Sequence, residues 1–313
     1  MIKGGLKDMK KTCTAVLLFL LCASPLFGDE VDNELTGAPG VLREHTRAMI
    51  QAGVESGDAM KMTKTMEQNR FQVENIIRSQ EIVMGALAEG LPAGPVMRKA
   101  YEGLAKNARE QDVVNAMERT RARYSLAYRT ARKVTESAVE KAQTGNAIAE
   151  GMAAGLTARD ADRICDRLQT RDRDRTKDRT NALARESFMA AREMVRYRVP
   201  SDVASEAVCT ALEKQYEAKD MEMLRSSFMK NARYGNAARL AREYASRIRG
   251  GMSSGELGSV GRGESGQSSG ISAGAGAGNG SGAGAGSGSG AGGQGGSGNG
   301  GKAGSGNGSG GRQ

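Results

Sequence analysis

The segment from Arg159 to Arg179 holds the densest set of chemically active side chains in this sequence, with eight Lys or Arg residues and six Asp residues. Arginines in its second half are candidate contacts for nucleic acid or another polyanion, since cationic side chains neutralise phosphates. These arginines are Arg171, Arg173, Arg175 and Arg179. The neighbouring aspartates would repel the same ligand, and no aromatic residue interrupts the segment for base stacking. We interpret the segment as a charged, solvated helix or hinge with weak ion pairs, and we keep polyanion binding as the alternative.

Aspartates at alternate positions also suggest a calcium loop. Asp172, Asp174 and Asp178 match the opening half of an EF-hand loop. The pattern then fails, because Lys177 stands where the loop needs Gly and Leu183 stands where it needs a bidentate Glu. We therefore predict no metal site here.

Catalysis has little support in the residue inventory. The chain contains one histidine, His45, which excludes a two-histidine metal site and removes most histidine-based schemes. Pairs of carboxylates such as Glu89 with Glu102, or Asp160 with Asp162, resemble acid and base pairs only in residue type, and acidic residues are common on solvated helices. We predict a non-enzymatic protein with no catalytic residue, cofactor or metal.

Two cysteines remain once a signal segment is removed. Cys165 lies eight residues after Thr157, and Cys209 lies nine residues after Pro200. Both are predicted at near-equivalent places in successive short helices, which are neighbours when hairpins stack. A disulfide between Cys165 and Cys209 is therefore one hypothesis for an exported protein, and two small core residues are the other.

The N-terminus has the pattern of a secretory signal. Four lysines precede an apolar run from Thr14 to Cys22, which is too short to span a bilayer. Cleavage after Gly28 would lower the formal charge from +9 to +6, a mild basic excess. Cys22 offers a second possibility, lipidation, although Leu21 is larger than the residue that such a site prefers. We expect a periplasmic or cell-envelope location, with membrane association only if Cys22 is lipidated.

The region from 41 to 250 is predicted to be all-α. It is rich in Ala, Met, Leu, Glu, Arg and Lys, which form helices well, and it has only Pro92, Pro95 and Pro200 as breakers. No run of alternating β-branched and aromatic residues indicates a strand. The fold class is therefore stacked helical hairpins or an irregular helical bundle.

A degenerate repeat is visible when the turns are aligned. Each of three turns follows an amphipathic helix and precedes a short one, and an earlier unit begins near Gly53-Val54. The three turns are Gly90-Leu91-Pro92, Gly155-Leu156-Thr157 and Arg198-Val199-Pro200. Hairpins of this kind bury their apolar faces only by stacking on neighbours, so we expect about three to four units.

One of these turns belongs to a longer element. The segment from Gly90 to Lys106, GLPAGPVMRKAYEGLAK, resembles an element of uncharacterised exported bacterial helical-repeat proteins, in which a Gly-Leu-Pro turn is followed by Lys, Glu-Gly and Ala-Lys. The resemblance covers 17 residues and implies no activity.

The ends of the chain differ from the body in composition. Residues 251–313 hold 28 of the 44 glycines and cannot bury enough apolar surface to offset the entropy of ordering them. The predicted organisation is a signal peptide at 1–28, a flexible segment at 29–40, the helical body at 41–250 and a disordered Gly/Ser/Ala-rich tail at 251–313.

We expect the body to bind an unknown protein partner, and we do not expect nucleic acid to be that partner.

Overall fold

Good helix formers with apolar residues every three to four positions fold into helices throughout the body. The computed structural model describes residues 26–171 and 177–260, and their side chains at 30–171 and 180–260. Within these ranges there are twelve α-helices, two short 3₁₀ helices and no strand. The α-helices are α1 (Leu26–Glu34), α2 (Gly40–Gln51), α3 (Ser56–Gln68), α4 (Val73–Ala88), α5 (Ala93–Ala105), α6 (Glu110–Arg132), α7 (Ala138–Ala154), α8 (Ala158–Arg171), α9 (Lys177–Arg196), α10 (Ser201–Glu213), α11 (Ala218–Asn231) and α12 (Ala237–Arg249). The 3₁₀ helices are Ala232–Tyr234 and Ser254–Ser259.

The helices pack as stacked hairpins, which confirms the predicted all-α class. Helices α2, α4, α6, α7, α9 and α11 form a first layer, in which each helix packs on the next. Helices α3, α5, α8, α10 and α12 form a second layer, in which α3 contacts α5 and α8, α10 and α12 contact in series. Helix α6 is followed directly by α7, so this step of the stack has no second-layer helix of its own. That omission explains why Gly155 follows Gly90 by 65 residues, whereas Arg198 follows Gly155 by only 43 residues.

The four aligned turns share one backbone geometry. At each turn a residue with positive φ ends the first-layer helix, and the next residue donates its backbone N–H five residues back, as in a Schellman motif. The φ values are 105° at Gly53, 72° at Gly90, 120° at Gly155 and 64° at Arg198. The donors are Val54, Leu91, Leu156 and Val199, with N–O distances of 2.9–3.1 Å, and each of these side chains is buried. Arg198 therefore fills the glycine position at the cost of a left-handed backbone.

The N-terminal boundary requires a correction. The segment 29–40, predicted to be flexible, contains most of α1 and the turn after it. Val31, Leu35 and Ala38 are buried and form a small apolar cluster with Met60 of α3. A cut after Gly28 would fall inside α1 and would leave these residues on the mature chain.

The C-terminal boundary also requires a correction, because residues 251–260, predicted to belong to the tail, pack against α11 and α12. The 3₁₀ helix Ser254–Ser259 contacts α11, and Leu257 and Val260 are buried in the main core. Composition misled the prediction here, since two apolar residues fix a segment that is otherwise mostly glycine and serine. The rest of the predicted tail lies outside the described residues, as do residues 172–176 and residues 1–25 of the predicted signal peptide, which include Cys22.

Candidate interaction surface

Arg171, the first predicted polyanion contact, is committed to the fold. Its side chain is only 5% exposed at the end of α8. One guanidinium nitrogen donates to the backbone oxygen of Tyr216, and another lies 3.1 Å from a carboxylate oxygen of Glu217. Both acceptors belong to the turn before α11, so Arg171 joins α8 to the unit that follows α10. The prediction that Arg171 is available to a ligand is corrected, because burial and two partners hold it.

The other three predicted contacts cannot be placed in a site. Arg173 and Arg175 lie outside the described residues, and the side chain of Arg179 does too, although its backbone belongs to α9. The EF-hand-like aspartates fall in the same part of the chain.

Cys165 and Cys209 are free, buried thiols, which agrees with the hypothesis of two small core residues and overturns the disulfide hypothesis. The Cys165 sulfur lies 3.7 Å from the backbone oxygen of Thr130 on α6. The Cys209 sulfur lies 3.8 Å from the backbone oxygen of Arg163 on α8. Burial raises the pKa of each thiol to about 11, which makes both poor nucleophiles at neutral pH.

The reason for this correction lies in the stacking itself. Helices α8 and α10 are neighbours, as the prediction required. However, the two cysteines occupy matching positions in successive hairpins, and each points toward a preceding helix. Matching side chains of a translated stack point the same way, so they do not face each other across the interface between the hairpins.

The starts of α8 and α10 are tied together by a small polar cluster. Thr157 and Asp160 form the predicted helix start, with the Asp160 backbone N–H donating to the Thr157 hydroxyl at 3.2 Å. The hydroxyls of Thr157 and Ser201 donate to the same Asp160 carboxylate oxygen at 2.7 and 2.6 Å. Burial works to raise the pKa of Asp160, but the bonds from Ser201 and Thr157 lower it below its usual value overall. The cluster therefore joins the two hairpins through one ionised carboxylate that accepts from both hydroxyls.

An open groove of about 810 Å³ lies along the exposed side of α8 and reaches the first turn of α10. We call it the charged groove. Its basic side chains are Arg159, Arg163 and Arg167, and its acidic side chains are Asp160, Asp162, Asp166 and Asp202. Arg159 and Arg163 are each followed by an aspartate three residues later and by another arginine four residues later. These spacings place both signs of charge on one face of α8.

Part of this charge is already paired inside the body. Arg167 lies 2.6 Å from Glu213 of α10, and Lys133 at the end of α6 lies 2.9 Å from Asp162. Arg163 and Asp166 are exposed and form no hydrogen bond or ion pair through their side chains with any other described residue. Within the described part of the chain, Arg163 and Asp166 at the centre of the groove are therefore an unpaired cation and an unpaired anion three residues apart, and Asp202 on α10 is a further unpaired anion.

Of the carboxylate pairs considered for catalysis, Asp160 and Asp162 both line the charged groove, whereas Glu89 and Glu102 each bind a basic neighbour of their own. Glu89 accepts two hydrogen bonds from Arg121, and bonds from Ser125 and Arg121 lower its pKa. Glu102 pairs with Lys99 at 2.5 Å, and this bond lowers its pKa as well. Each of these carboxylates is held in its ionised form by its own neighbours.

Two other features are absent from the described residues. In the part of the chain that the structure covers, no three His, Cys, Asp or Glu side chains are grouped so that they could hold a metal ion. Over the same residues, no helix has both the length and the apolar character needed to cross a bilayer.

Comparison of the chain with protein-family models, curated proteins and solved structures finds no match. The site must therefore be interpreted from its own residues. The predicted polyanion contacts all lie in the second half of the charged segment 159–179. A signal for the groove was present in the first half, where Arg159, Arg163 and Arg167 are spaced by four residues and Asp162 and Asp166 run beside them.

Proposed function

We propose that this protein is an exported, non-enzymatic interaction or structural protein of the periplasm or cell envelope. Export rests on the signal pattern of residues 1–28. The interaction role rests on the body, a stack of hairpins whose exposed helix faces form an extended surface, as repeat proteins use for binding.

One observation supports a protein partner over a polyanion. The charged groove carries three guanidinium groups together with four carboxylates, one of which is the buried Asp160. A polyanion would meet repulsion at every exposed carboxylate, whereas a protein surface can match both signs at once. The groove therefore favours a protein surface of mixed charge.

Binding of a polyanion remains the alternative, with weaker support. Arg171 is no longer a candidate contact for a polyanion, because its side chain is buried against the turn before α11. Retention on a heparin column that falls steeply between low and physiological salt would favour this alternative. Elution at low salt would count against it.

The proposal is tested by capture from the envelope of the source organism. The bait is the mature chain, residues 29–313, compared with the double variant Arg159→Asp/Asp202→Arg, which reverses two exposed charges of the groove. Arg242→Asp is the matched control, because Arg242 is an exposed arginine on α12, outside the groove. We expect wild type and control to retain the same envelope proteins and the double variant to lose them.

A version of the bait ending at Val260 asks whether the tail contributes, since the described fold reaches that residue. The interaction role would be overturned if none of the baits retained an envelope protein above background. Equal retention by wild type and the double variant would remove the groove from the proposal.

A further inference from the structure

We propose that the charged groove binds the same groove of a second copy of this chain, with α8 of one copy antiparallel to α8 of the other around a twofold axis. This inference rests on the proposed function, because it names the partner of the surface described above. The inference follows from two observations: the order of positive and negative side chains along α8, and the identity of those that form no ion pair with the other described residues.

Helix α8 has a clear inner and outer face. Ala161, Ile164, Cys165 and Leu168 are buried in the core. The outward positions are 159, 162, 163, 166, 167 and 170, all of which line the groove. These outward side chains are polar or charged. The hydrophobic effect therefore does not favour burial of this face under another hairpin of the same chain.

The charges on this face are self-complementary. In an antiparallel pair whose axis passes opposite residues 164 and 165, Arg163 of one copy faces Asp166 of the other. Symmetry repeats this contact. Both central charges then meet the opposite sign, which is what a twofold interface between identical surfaces requires. A face of a single sign would repel its own copy.

The internal ion pairs strengthen this assignment. Asp162 and Arg167, which flank the central charges on opposite sides of α8, are already paired with Lys133 and Glu213. The central charges, Arg163 and Asp166, form no such pair among the described residues. Of the groove charges that form no ion pair within the described residues, Arg163 and Asp166 are the two on α8, and they lie nearest the axis.

The character of the contact follows from its chemistry. Exposed ion pairs are weakened by salt, and this face adds little apolar area. The dimer is therefore expected to be weak, concentration-dependent and favoured by low ionic strength.

The experiment measures self-association of the mature chain, residues 29–313, by sedimentation velocity over a range of concentrations at low and high salt. Arg163→Asp places two aspartates opposite each other across the axis, and Asp166→Arg places two arginines there. Each variant alone is expected to self-associate at least ~10-fold more weakly than wild type, because opposed like charges are costly at an interface.

A mixture of the two variants supplies the sharper test. Asp at position 163 of one chain then faces Arg at position 166 of the other, so the mixture is expected to form a heterodimer while each variant alone stays monomeric. The double variant Arg163→Asp/Asp166→Arg is expected to recover wild-type association. Arg242→Asp serves as the control for a change of net charge and should behave as wild type.

The outcomes separate this inference from the broader proposal. Wild type that stays monomeric at low salt, or a dimer that neither variant weakens, overturns the inference; failure of the mixture to associate overturns the register. Capture of other envelope proteins by a monomeric chain keeps the interaction role and removes the second copy as its partner. A salt-sensitive dimer that captures no other protein supports the inference and leaves the envelope role without support.

Discussion

The two ends of the helical stack are closed in different ways. The N-terminal cap, which we define as residues 30–38, uses a small apolar cluster and exposed ion pairs. The C-terminal cap, residues 252–260, uses core burial and buried hydrogen bonds. Both solve the same problem, since the terminal hairpin of a stack has no neighbour to cover its outer face.

At the N-terminus the cap remains peripheral. Val31, Leu35 and Ala38 contact Met60 in a cluster separate from the main core. The polar contacts are exposed in part: one Asp32 oxygen lies 3.1 Å from Arg43 and 2.5 Å from Arg47. Such contacts contribute little individually and are screened by salt.

At the C-terminus the cap is part of the core, with Leu257 and Val260 inside it. Asn231 donates to the Val260 backbone oxygen at 2.7 Å and to the Tyr244 hydroxyl at 3.1 Å. Tyr244 in turn donates to the Leu257 backbone oxygen at 3.1 Å. A second anchor is the Tyr216 hydroxyl, which donates to the Met252 backbone oxygen at 2.7 Å.

The difference shows how little sequence is needed to close a helical stack. The N-terminal cap is a regular amphipathic helix, and yet its contacts are few. The C-terminal cap comes from a Gly- and Ser-rich segment, and yet it is held by specific buried bonds. Removal of a buried donor or acceptor costs more than removal of an exposed ion pair, so we expect the C-terminal cap to contribute more stability.

The largest expected contrast comes from truncating one leucine at each end. Leu257→Ala should lower the free energy of unfolding by about 2–5 kcal/mol, because Leu257 is fully buried in the main core. Leu35→Ala should cost less, since its cluster has few members and can detach locally. Urea unfolding of both variants measures this; an equal or larger loss for Leu35→Ala would reverse the ranking of the two ends.

The buried hydrogen bonds of the C-terminal cap are tested next. Asn231→Ala should cost about 1–3 kcal/mol, because the Val260 oxygen and the Tyr244 hydroxyl lose their donor in a dry environment. Asn69→Ala is the matched control, since its side chain bonds Thr65 at an exposed position. Denaturation midpoints that shift by the same amount would show that the buried network adds nothing.

Alkaline pH should loosen the C-terminal cap through Tyr216. Burial raises the pKa of Tyr216 to about 12, and its phenolate could not donate to Met252. A raised folded-state pKa means that this stability is complete below about pH 10 and is lost as pH rises toward 12.

Comparison with Tyr216→Phe isolates this contribution, because Tyr124, Tyr128 and Tyr244 also have raised pKa values from burial. The variant should be about 0.5–1.5 kcal/mol less stable at pH 7 and should lose less stability between pH 10 and 12. Parallel pH curves for the two proteins would contradict the assignment.

The smallest effect is expected at the N-terminal cap. Asp32→Ala removes the anion between Arg43 and Arg47, and it should cost only ~0.2–1 kcal/mol at low salt and less at high salt. Thermal unfolding at two ionic strengths provides the measurement. A salt-independent loss of several kcal/mol would make the two caps equivalent.

Local sequence determined the helices and most of the turns. Helix propensity, the scarcity of proline and the glycines at positions 53, 90 and 155 are properties of short segments, and each has the predicted role in the structure. The start of α8 at Thr157 and Asp160 could be predicted for the same reason, because a helix cap involves residues only three positions apart.

Tertiary structure decided what these elements face. It buried Arg171 against a turn 45 residues away and directed Cys165 and Cys209 toward the preceding helices. It left Arg163 and Asp166, at the centre of the charged groove, without a side-chain bond to any other described residue. It also folded residues 29–40 and 251–260, which composition assigned to flexible ends. The physical reason is that burial and ion pairing depend on which helices stack, and contacts between distant segments are not encoded in the composition of either one.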